Sequence, residues 1–379
     1  MKMLVLGAGL QGSACAYDLL QNPAVAEVTL ADLHPDGMAP FLAKLGDPRL
    51  RTVRLDASDR AAAADIMAGH DAVMCALPYY FNEPMTRAAI ASGCHYADLG
   101  GNTEIVFKQK ALDAEARNEG VSVIPDCGLA PGMVNILAAE GIRRLDVVGK
   151  VKIFVGGLPQ QPEPPLNYQI VYSLEGALDY YTTRSAVLRG GRRTEVEALS
   201  EIEYVDFPEP VGRLEAFHTA GGISTMPWAY EGKVDVMEYK TLRYPGHADV
   251  MRPIRELGLL SNEPIDVKGQ RVRPRDVFIA VVSPRLRKPE GRDLVALRVE
   301  VSGEKDGKPA ATVFQLLDRY DEVHGISAMM RTTGYSLSIT GQLQATGQVS
   351  PGVKTPDEAV PFRAYVDELA RRGVKIEEL

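Results

Sequence analysis

Cysteine and tryptophan are scarce in this chain of 379 residues, which contains four cysteines and one tryptophan. The cysteines are Cys15, Cys75, Cys94 and Cys127, and none of them forms a C-x-x-C pair or stands beside a histidine-rich cluster. This pattern predicts reduced, mostly buried thiols in a cytoplasmic protein. It gives no basis for a zinc site or for any other metal site.

The sequence also lacks long apolar runs, a signal-peptide layout and an excess of basic residues. No apolar run approaches the roughly 20 residues that a membrane helix needs. The net charge of -8 argues against nucleic acid as a partner. The hydrophobic content of 45% and the charged content of 24% are ordinary for a globular enzyme of two or three domains. We therefore expect a small-molecule partner and no membrane association.

The N-terminal segment reads as strand, glycine turn, helix and second strand. An apolar run ends at Leu6, and Gly7, Gly9 and Gly12 follow with G-x-G-x-x-G spacing. In such a unit the first glycine permits the tight turn and the second lets a pyrophosphate approach the backbone. The third lets the helix pack closely on the strand. The spacing predicts a dinucleotide site that includes Gly7, Gly9, Leu10, Gln11 and Gly12. The alternative is a glycine turn in a domain that has lost its cofactor.

The acidic residue after the second strand indicates which dinucleotide is bound. Asp32 lies at the tip of this strand, twenty positions after Gly12. A carboxylate there accepts hydrogen bonds from the ribose hydroxyls of NAD and repels the 2′-phosphate of NADP. The sequence therefore predicts NAD as the cofactor.

Strands and helices alternate through the first third of the chain. This alternation predicts an α/β fold with a doubly wound parallel sheet of the Rossmann type, over residues 1–130. The carboxyl ends of such strands form the ligand-binding edge. The expected strand ends bring to that edge Asp32, Asp56, Leu77, Pro78, Tyr79, Asp98, Asp126, Cys127 and Gly128. Asp56 either contacts the adenine end of the cofactor or caps the following helix.

The pattern changes near Val147, where β-like segments begin to dominate. These segments include 201–207, 234–244, 277–282 and 294–302, and they predict an α+β domain over residues 131–322. Two helical segments, 325–347 and 362–373, follow. We expect this last part, residues 323–379, to return to the first domain and cover it.

Three further stretches take the sequence beyond a generic nucleotide-binding pattern. They are PYYFN after the fourth strand, DCGLAPG after the sixth, and TLRYPGH at 241–247. Together with LGAGLQG they resemble the saccharopine dehydrogenase-like family over nearly the whole chain, and within it the lysine dehydrogenases are most similar. The resemblance implies an inserted catalytic and dimerisation domain, a homo-oligomer based on dimers, and NAD-dependent oxidation of the ε-amino group of L-lysine. The chain is short for a glutamate-forming saccharopine dehydrogenase, which favours lysine over saccharopine.

Oxidising an amine requires a base, because only the neutral amine can release a hydride. Asp98 and Asp126 follow strands at the predicted edge, and either can accept the proton directly or through water. Asp126 is slightly preferred because it opens the DCGLAPG turn. The alternative for both acids is the capping of a turn or helix. His247 either relays a proton or caps the helix that follows it.

The substrate carboxylate requires a guanidinium partner. Arg243 in TLRYPGH is the first choice, with Arg184 and Arg331 as alternatives, and Tyr79 and Tyr244 are expected to contact the substrate. Glu175 either holds a substrate ammonium or lies on a solvated helix face. Three hypotheses therefore remain: a lysine ε-dehydrogenase, a dehydrogenase of another amino acid or of a secondary amine such as saccharopine, and a non-catalytic NAD sensor.

Overall fold

The computed structural model describes residues 1–379 and contains two large β-sheets, one small hairpin and helices that connect and cover them. The strands are β1 (Lys2–Leu6), β2 (Glu27–Asp32), β3 (Leu50–Arg54), β4 (Ala72–Cys75), β5 (His95–Asp98), β6 (Ser122–Ile124), β7 (Val147–Pro159), β8 (Ser185–Arg189), β9 (Arg192–Val196), β10 (Glu203–Asp206), β11 (Arg213–His218), β12 (Val234–Arg243), β13 (Ile265–Val267), β14 (Gln270–Val272), β15 (Asp293–Lys305), β16 (Lys308–Arg319), β17 (Gly352–Val353) and β18 (Glu377–Glu378). The helices are α1 (Leu10–Gln21), α2 (Pro40–Ala43), α3 (Arg60–Met67), α4 (Asn82–Ala91), α5 (Thr103–Lys110), α6 (Asp113–Asn118), α7 (Met133–Arg143), α8 (Leu174–Thr182), α9 (Met226–Ala229), α10 (His247–Glu256), α11 (Pro274–Leu286), α12 (Ala328–Ala345), α13 (Pro356–Ala359) and α14 (Phe362–Arg371).

The first sheet is parallel and has seven strands in the order β17-β6-β5-β4-β1-β2-β3. Its central strands are buried on both faces, as the short apolar runs of β1 and β4 require. The strand order reverses between β1 and β4, and this switch point opens a crevice at the carboxyl edge. The predicted Rossmann-type doubly wound sheet is confirmed.

The second sheet is mixed and has nine strands. Its main path runs β10-β11-β12-β7-β15-β16-β18, and the β8–β9 hairpin pairs with β12. The long strands β7 and β15 are antiparallel and pair along almost their whole length, whereas β12 and β7 are parallel. This sheet carries the carboxyl end of β12, and therefore Arg243, toward the first sheet.

The C-terminal segment joins the two sheets, as the sequence predicted. Helix α12 packs on α1 and on the face of β4 and β5. Gly334 makes this close approach possible, because a Cβ there would lie 2.7 Å from the Cβ of Ala14. Strand β17 then extends the parallel sheet beside β6, and β18 pairs with β16.

Some local predictions were wrong. The segment 277–282 was expected to be a strand and lies within α11. Its β-branched residues favour a strand, but Pro274 occupies the first turn of the helix, and no neighbouring strand offers a pairing partner. Strands β9 and β11 were not predicted. None of the helices combines the length and the apolar character that crossing a membrane requires.

Candidate functional site

A cavity of about 620 Å³ lies between the carboxyl edge of the parallel sheet and the second sheet. The parallel-sheet side contributes Gln11, Leu77, Pro78, Tyr79, Leu99, Gly100, Gly101 and Gly128. The other side contributes Tyr172, Glu175, Asp179, Tyr180, Thr219, Tyr239, Thr241 and Arg243. Met329 and Thr333 of α12 close one end of the cavity. The cavity therefore combines the predicted nucleotide edge with polar groups of the second domain.

The glycine turn has the geometry that its spacing predicts. Gly7 has φ +100°, a conformation that L side chains rarely adopt. A Cβ on Gly12 would lie 1.8 Å from the carbonyl oxygen of Gly7, so only glycine allows this packing. A Cβ on Gly9 would have no heavy atom within 4 Å. The turn thus leaves open space beside Gly9 at the N-terminus of α1, where a pyrophosphate fits.

Gln11 and Asp32 support a nucleotide in this crevice. Gln11 lines the cavity, and its Oε1 atom is buried without a hydrogen-bond partner. Asp32 accepts hydrogen bonds from the backbone N–H groups of Ala8 and His34, each at 2.7 Å. These bonds hold the glycine turn against the tip of β2. Because each carboxylate oxygen can accept more than one hydrogen bond, Asp32 retains capacity for ribose hydroxyls.

Two other predicted cofactor contacts lie away from the cavity. Asp56 is exposed and accepts hydrogen bonds from the N–H and hydroxyl of Ser58, whereas Asp59 caps α3. Asp56 therefore shapes the turn before the helix but does not cap it. The side chain of Leu10 is half exposed and does not line the cavity. By contrast, Leu77 and Pro78 lie in the cavity wall as expected.

Asp98 is fully buried beneath the cavity wall and does not line the cavity. Its carboxylate accepts hydrogen bonds from the Gly100 N–H at 2.7 Å and from the Gln109 amide at 2.6 Å. Burial raises its pKa to about 6, and the bond from Gln109 opposes this rise. This placement argues against the predicted direct catalytic contact. Asp98 instead holds the loop that carries Gly100.

Asp126 is also buried, but neither of its carboxylate oxygens has a hydrogen-bond partner. A Cβ on Gly100 would lie 1.8 Å from its Oδ1 atom, so the carboxylate presses directly against the cavity wall. Burial raises its pKa to about 7, and the nearby Ser224 hydroxyl opposes this rise. Its backbone has φ +64°, which is strained for a residue with a side chain. Asp126 is thus an unpaired acid one residue layer behind the cavity.

Cys127 and Gly128 share the turn after β6 but differ in position. The Cys127 thiol is buried and donates to the Ile124 carbonyl at 3.1 Å, so its side chain is not available to a cofactor. Burial raises the pKa of this thiol well above its ordinary value. Gly128 lines the cavity, and Gly132 with φ +129° lets the turn close on it.

Arg243 lies in the cavity wall and is only 2% exposed. None of the ion pairs in the protein includes it. Its Nη1 atom donates to the Leu242 carbonyl, its guanidinium carbon lies 4.8 Å from the ring centroid of Tyr168, and its Nε atom has no partner. A buried cation without a carboxylate is costly. The guanidinium therefore has hydrogen-bonding capacity left for an anion from outside the chain.

Of the other residues predicted to contact the substrate, only some line the cavity. Tyr79 is 40% exposed and lines the cavity. Tyr244, the residue after β12, does not line it: successive side chains of an extended chain point to opposite faces, and Tyr244 packs against the apolar cluster that contains Leu158 and donates to the Pro159 carbonyl at 2.9 Å. Arg184 pairs with Glu197, and Arg331 pairs with Asp318, and both arginines lie outside the cavity. The placement argues against substrate contact for Tyr244, Arg184 and Arg331.

His247 begins α10 but lies outside the cavity. Its Nδ1 atom bonds to the Leu166 carbonyl at 3.0 Å and its Nε2 atom to the Tyr181 hydroxyl at 3.0 Å. Burial lowers its pKa to about 3, and the Arg243 guanidinium contributes to this effect. A histidine that stays neutral and has both nitrogens occupied does not suit the predicted proton relay. Its contacts support the packing around Arg243.

The sequence analysis missed several cavity residues. Thr219 and Thr241 face each other across β11 and β12 with their hydroxyl oxygens 2.7 Å apart. Tyr180 and Tyr239 also line the cavity, and Gly222 allows the Tyr239 ring to approach its backbone. These residues come from separate segments of the second domain. A tyrosine-rich stretch around 168–181 was the available signal.

One group of side chains has the spacing of metal ligands. Glu201, His218 and Glu238 bring their ligand atoms within 4.8 Å of one another. However, the Nη2 atom of Arg189 lies 2.9 Å from Glu201 and 2.5 Å from Glu238. The Lys152 Nζ atom lies 3.3 Å from Glu238 as well, so two cations balance the two carboxylates, and the group is an ion-pair network outside the cavity.

Two family models match the chain. Residues 3–124 match the saccharopine dehydrogenase NADP binding domain, and residues 128–374 match the saccharopine dehydrogenase C-terminal domain. Saccharopine dehydrogenase [NADP(+), L-glutamate-forming] from Schizosaccharomyces pombe is 22% identical over 408 residues, covering 88% of this chain and 89% of the relative. Bovine mitochondrial alpha-aminoadipic semialdehyde synthase is 25% identical over 275 residues, covering 69% of this chain and 29% of the relative.

Two solved structures share the fold. Apo saccharopine dehydrogenase (L-Glu forming) from Saccharomyces cerevisiae has a TM-score of 0.81 at 20% identity and covers 100% of this chain and 99% of its own. Homospermidine synthase from Legionella pneumophila in complex with NAD has a TM-score of 0.69 at 10% identity, with coverage of 100% and 91%. Both the family models and the arrangement of the two sheets lead to one conclusion. The chain belongs to the saccharopine dehydrogenase family.

Proposed function

We propose that the protein catalyses the NAD-dependent oxidative deamination of the ε-amino group of L-lysine. The products are 2-aminoadipate 6-semialdehyde, NADH and ammonia, and the aldehyde then closes on its own α-amine to give piperideine-6-carboxylate. The observation that carries this proposal is the charge pattern of the cavity. Arg243 is the single basic side chain in its wall, whereas Glu175 and Asp179 are acidic.

This charge pattern favours lysine over saccharopine. One guanidinium matches one carboxylate in a bidentate pair. A secondary amine such as saccharopine carries additional carboxylates, which require further convergent cations. Arg275, which approaches the cavity through Asp179, is bound to that carboxylate, and Arg331 of α12 is bound to Asp318. The site therefore suits a substrate with one carboxylate and two amines.

The residues after β2 favour NAD over NADP. Asp32 places a carboxylate where the 2′-phosphate of NADP would lie. No lysine or arginine occurs between Leu33 and Gly37, and Asp36 adds a second acid. The family model and the Schizosaccharomyces relative carry NADP in their names, whereas the Legionella structure contains NAD. Our proposal of NAD rests on the acids of this chain.

When bound, the nicotinamide ring supplies the hydride acceptor. The ε-carbon must lie within about 3–3.5 Å of the ring, and Arg243 fixes the opposite end of the substrate. Asp126 is our proposed proton acceptor, through water at the Gly100 wall, because its pKa of about 7 suits a base. The ε-carbon loses a hydride and the nitrogen loses a proton. Water then adds to the iminium carbon, and ammonia leaves.

We further propose a homo-oligomer based on dimers. Val277 and Val281 lie one turn apart on α11, and both are about half exposed. The neighbouring β13–β14 hairpin also exposes Ile265 and Val267. A second copy would remove these apolar side chains from water. Light scattering after gel filtration gives the mass in solution, and a monomer at micromolar concentration would contradict the proposal.

The direct test is to mix the protein with NAD and each of lysine, ornithine, arginine and saccharopine, and to follow NADH absorbance and ammonia release. We expect turnover of lysine with one ammonia for each NADH. The same panel with NADP is the control for cofactor choice. Turnover of saccharopine with release of glutamate instead of ammonia would replace the proposed function. Binding of NAD without turnover of any substrate would favour a sensor.

A further inference from the structure

Helix α8 presents two carboxylates to the cavity, and they differ in their partners. Glu175 and Asp179 are one helical turn apart, so they lie on the same face. Asp179 is bound by Arg275. Glu175 belongs to none of the ion pairs or side-chain hydrogen bonds of the protein, although it lines the cavity. The two acids therefore differ in their capacity to bind a further cation.

The partner of Asp179 is itself held firmly. The Arg275 guanidinium is 6% exposed and donates to the Leu260 carbonyl at 3.0 Å and to the Thr182 hydroxyl at 3.1 Å. These bonds tie α8 to the start of α11. Asp179 thus serves to fix α8 in place, and its charge is already neutralised. Glu175 remains as the free anionic group of the same helix face.

We propose that Glu175 binds the α-ammonium of the substrate and so selects an α,ω-diamino acid over a simple ω-amino acid. This assignment rests on the proposed function. A carboxylate stabilises the protonated form of a nearby amine. The reacting nitrogen has to lose its proton, whereas the α-nitrogen stays protonated and needs a permanent anion. Glu175 and Arg243 together match the ammonium and the carboxylate of the substrate zwitterion.

The test uses two substrates and two variants of the same helix. 6-Aminohexanoate has the chain length, carboxylate and terminal amine of lysine but no α-amine. The variants are Glu175→Gln and Asp179→Asn, each of which replaces a carboxylate by an amide of similar size. Steady-state NADH formation gives kcat and KM for both substrates with all three proteins.

We expect the unmodified protein to prefer lysine, and Glu175→Gln to lower this preference by roughly fivefold, since the ion pair is open to solvent. The loss should appear mainly in KM for lysine, with 6-aminohexanoate almost unchanged. Asp179→Asn should affect both substrates equally, because it disturbs the position of α8 and not the ion pair with the ammonium. A third variant, Glu175→Asp, measured in the same way, keeps a carboxylate and should retain part of the preference that Glu175→Gln loses.

An unchanged preference in Glu175→Gln would overturn the assignment while leaving the proposed function intact. The same holds if Asp179→Asn, and not Glu175→Gln, removes the preference. If the unmodified protein oxidises neither substrate, the proposed function fails and this assignment fails with it. Urea unfolding of both variants shows whether they are folded, and activity with 6-aminohexanoate confirms that the active site is formed.

Discussion

The two sides of the cavity achieve their chemistry in different ways. On the parallel-sheet side, Gly7, Gly9 and Gly12 build the nucleotide turn from backbone, and Gly100 and Gly128 line the cavity beside mostly apolar side chains. On the other side, the binding groups are long side chains from separate strands and helices. The first surface suits a large, constant cofactor, and the second suits a small and specific substrate.

The two sides of the cavity also differ in what they cost the stability of the native state. A glycine turn loses conformational entropy but buries no charge. The substrate side buries the guanidinium of Arg243 with no anion from the chain. A buried unpaired charge lowers the stability of the native state until a ligand compensates it. We therefore expect variants on the parallel-sheet side to lower either the stability of the fold or the affinity for the cofactor. Variants on the substrate side should lower activity and raise the free energy of unfolding.

The largest expected effects concern two glycines of the turn. Gly12→Ala should destabilise the fold strongly, because its Cβ would lie 1.8 Å from the Gly7 carbonyl oxygen. Gly9→Ala should fold with nearly unchanged stability, since its Cβ meets no atom within 4 Å, yet it should lose most of its cofactor affinity. Urea unfolding and calorimetric titration with NAD measure the two quantities separately. Normal NAD affinity in Gly9→Ala would mean that the pyrophosphate does not lie in this space.

Arg243→Met tests the opposite side. We expect kcat/KM for lysine to fall by roughly a hundredfold or more, because the carboxylate loses its buried partner. Cadaverine, which has no carboxylate, should lose far less. The same variant should unfold at a higher urea concentration than the unmodified protein, since the uncompensated charge is gone. Loss of both activity and stability would contradict the view that this cation is unpaired in the free protein.

Asp126 lies between the two sides, and its pKa predicts a pH dependence of stability. Burial raises the pKa from 3.8 to about 7. Between these values the unfolded chain has lost the proton while the native state keeps it, so the free energy of unfolding falls as pH rises. The whole shift corresponds to about 4 kcal/mol. Asp126→Asn cannot ionise and should gain stability relative to the unmodified protein, most of all above about pH 7.

The matched control is Asp98→Asn. The Asp98 carboxylate accepts hydrogen bonds from the Gly100 N–H and the Gln109 amide. In Asp98→Asn the new NH2 group would face one of these two donors, so that hydrogen bond would be lost. We expect this variant to lose about 1–3 kcal/mol of hydrogen-bond energy at every pH. Because the pKa of Asp98 is raised to about 6, its stability relative to the unmodified protein should rise with pH only up to about that value, and so by less than that of Asp126→Asn. Urea unfolding at about pH 5 and about pH 8 separates the two behaviours. A stability difference between Asp126→Asn and the unmodified protein that stays constant with pH would show that Asp126 is not the titrating group.

The same contrast explains what the sequence could predict. The glycine turn and the alternation that predicts the parallel sheet follow from short-range patterns, in which each residue acts through its near neighbours. The direction in which a side chain at the end of β12 points cannot be predicted from such patterns. Arg243 and Tyr244 are adjacent in one motif, and the pairing of β12 with β7 and β11 decides which of them faces the cavity.

The acids show a further limit of sequence reasoning. The predicted strand ends correctly place Asp98 and Asp126 at the ligand-binding edge. They do not predict how deeply each carboxylate is buried. Gln109 on α5 draws Asp98 into the interior, and no similar donor reaches Asp126. His247 neither caps the helix nor relays a proton: it is the first residue of α10 after Gly246, and its partner Tyr181 lies 66 positions away. Such contacts depend on the packing of whole elements.

The smallest expected effect sharpens the nucleotide side of the comparison. The N–H groups of Ala8 and His34 bind different carboxylate oxygens of Asp32, so Asp32→Asn removes the charge and leaves one of them facing an amide NH2, and Asp32→Ser shortens the side chain and also leaves at least one of them unpaired. Both variants should raise the ratio of NADP to NAD affinity by roughly tenfold, because the repulsion of the 2′-phosphate is relieved. Both variants should also lose about 1 kcal/mol of stability, because each leaves a backbone N–H group of this turn without its acceptor. Fluorescence titration with both nucleotides measures the ratio, and a preference of the unmodified protein for NADP would overturn our interpretation of Asp32.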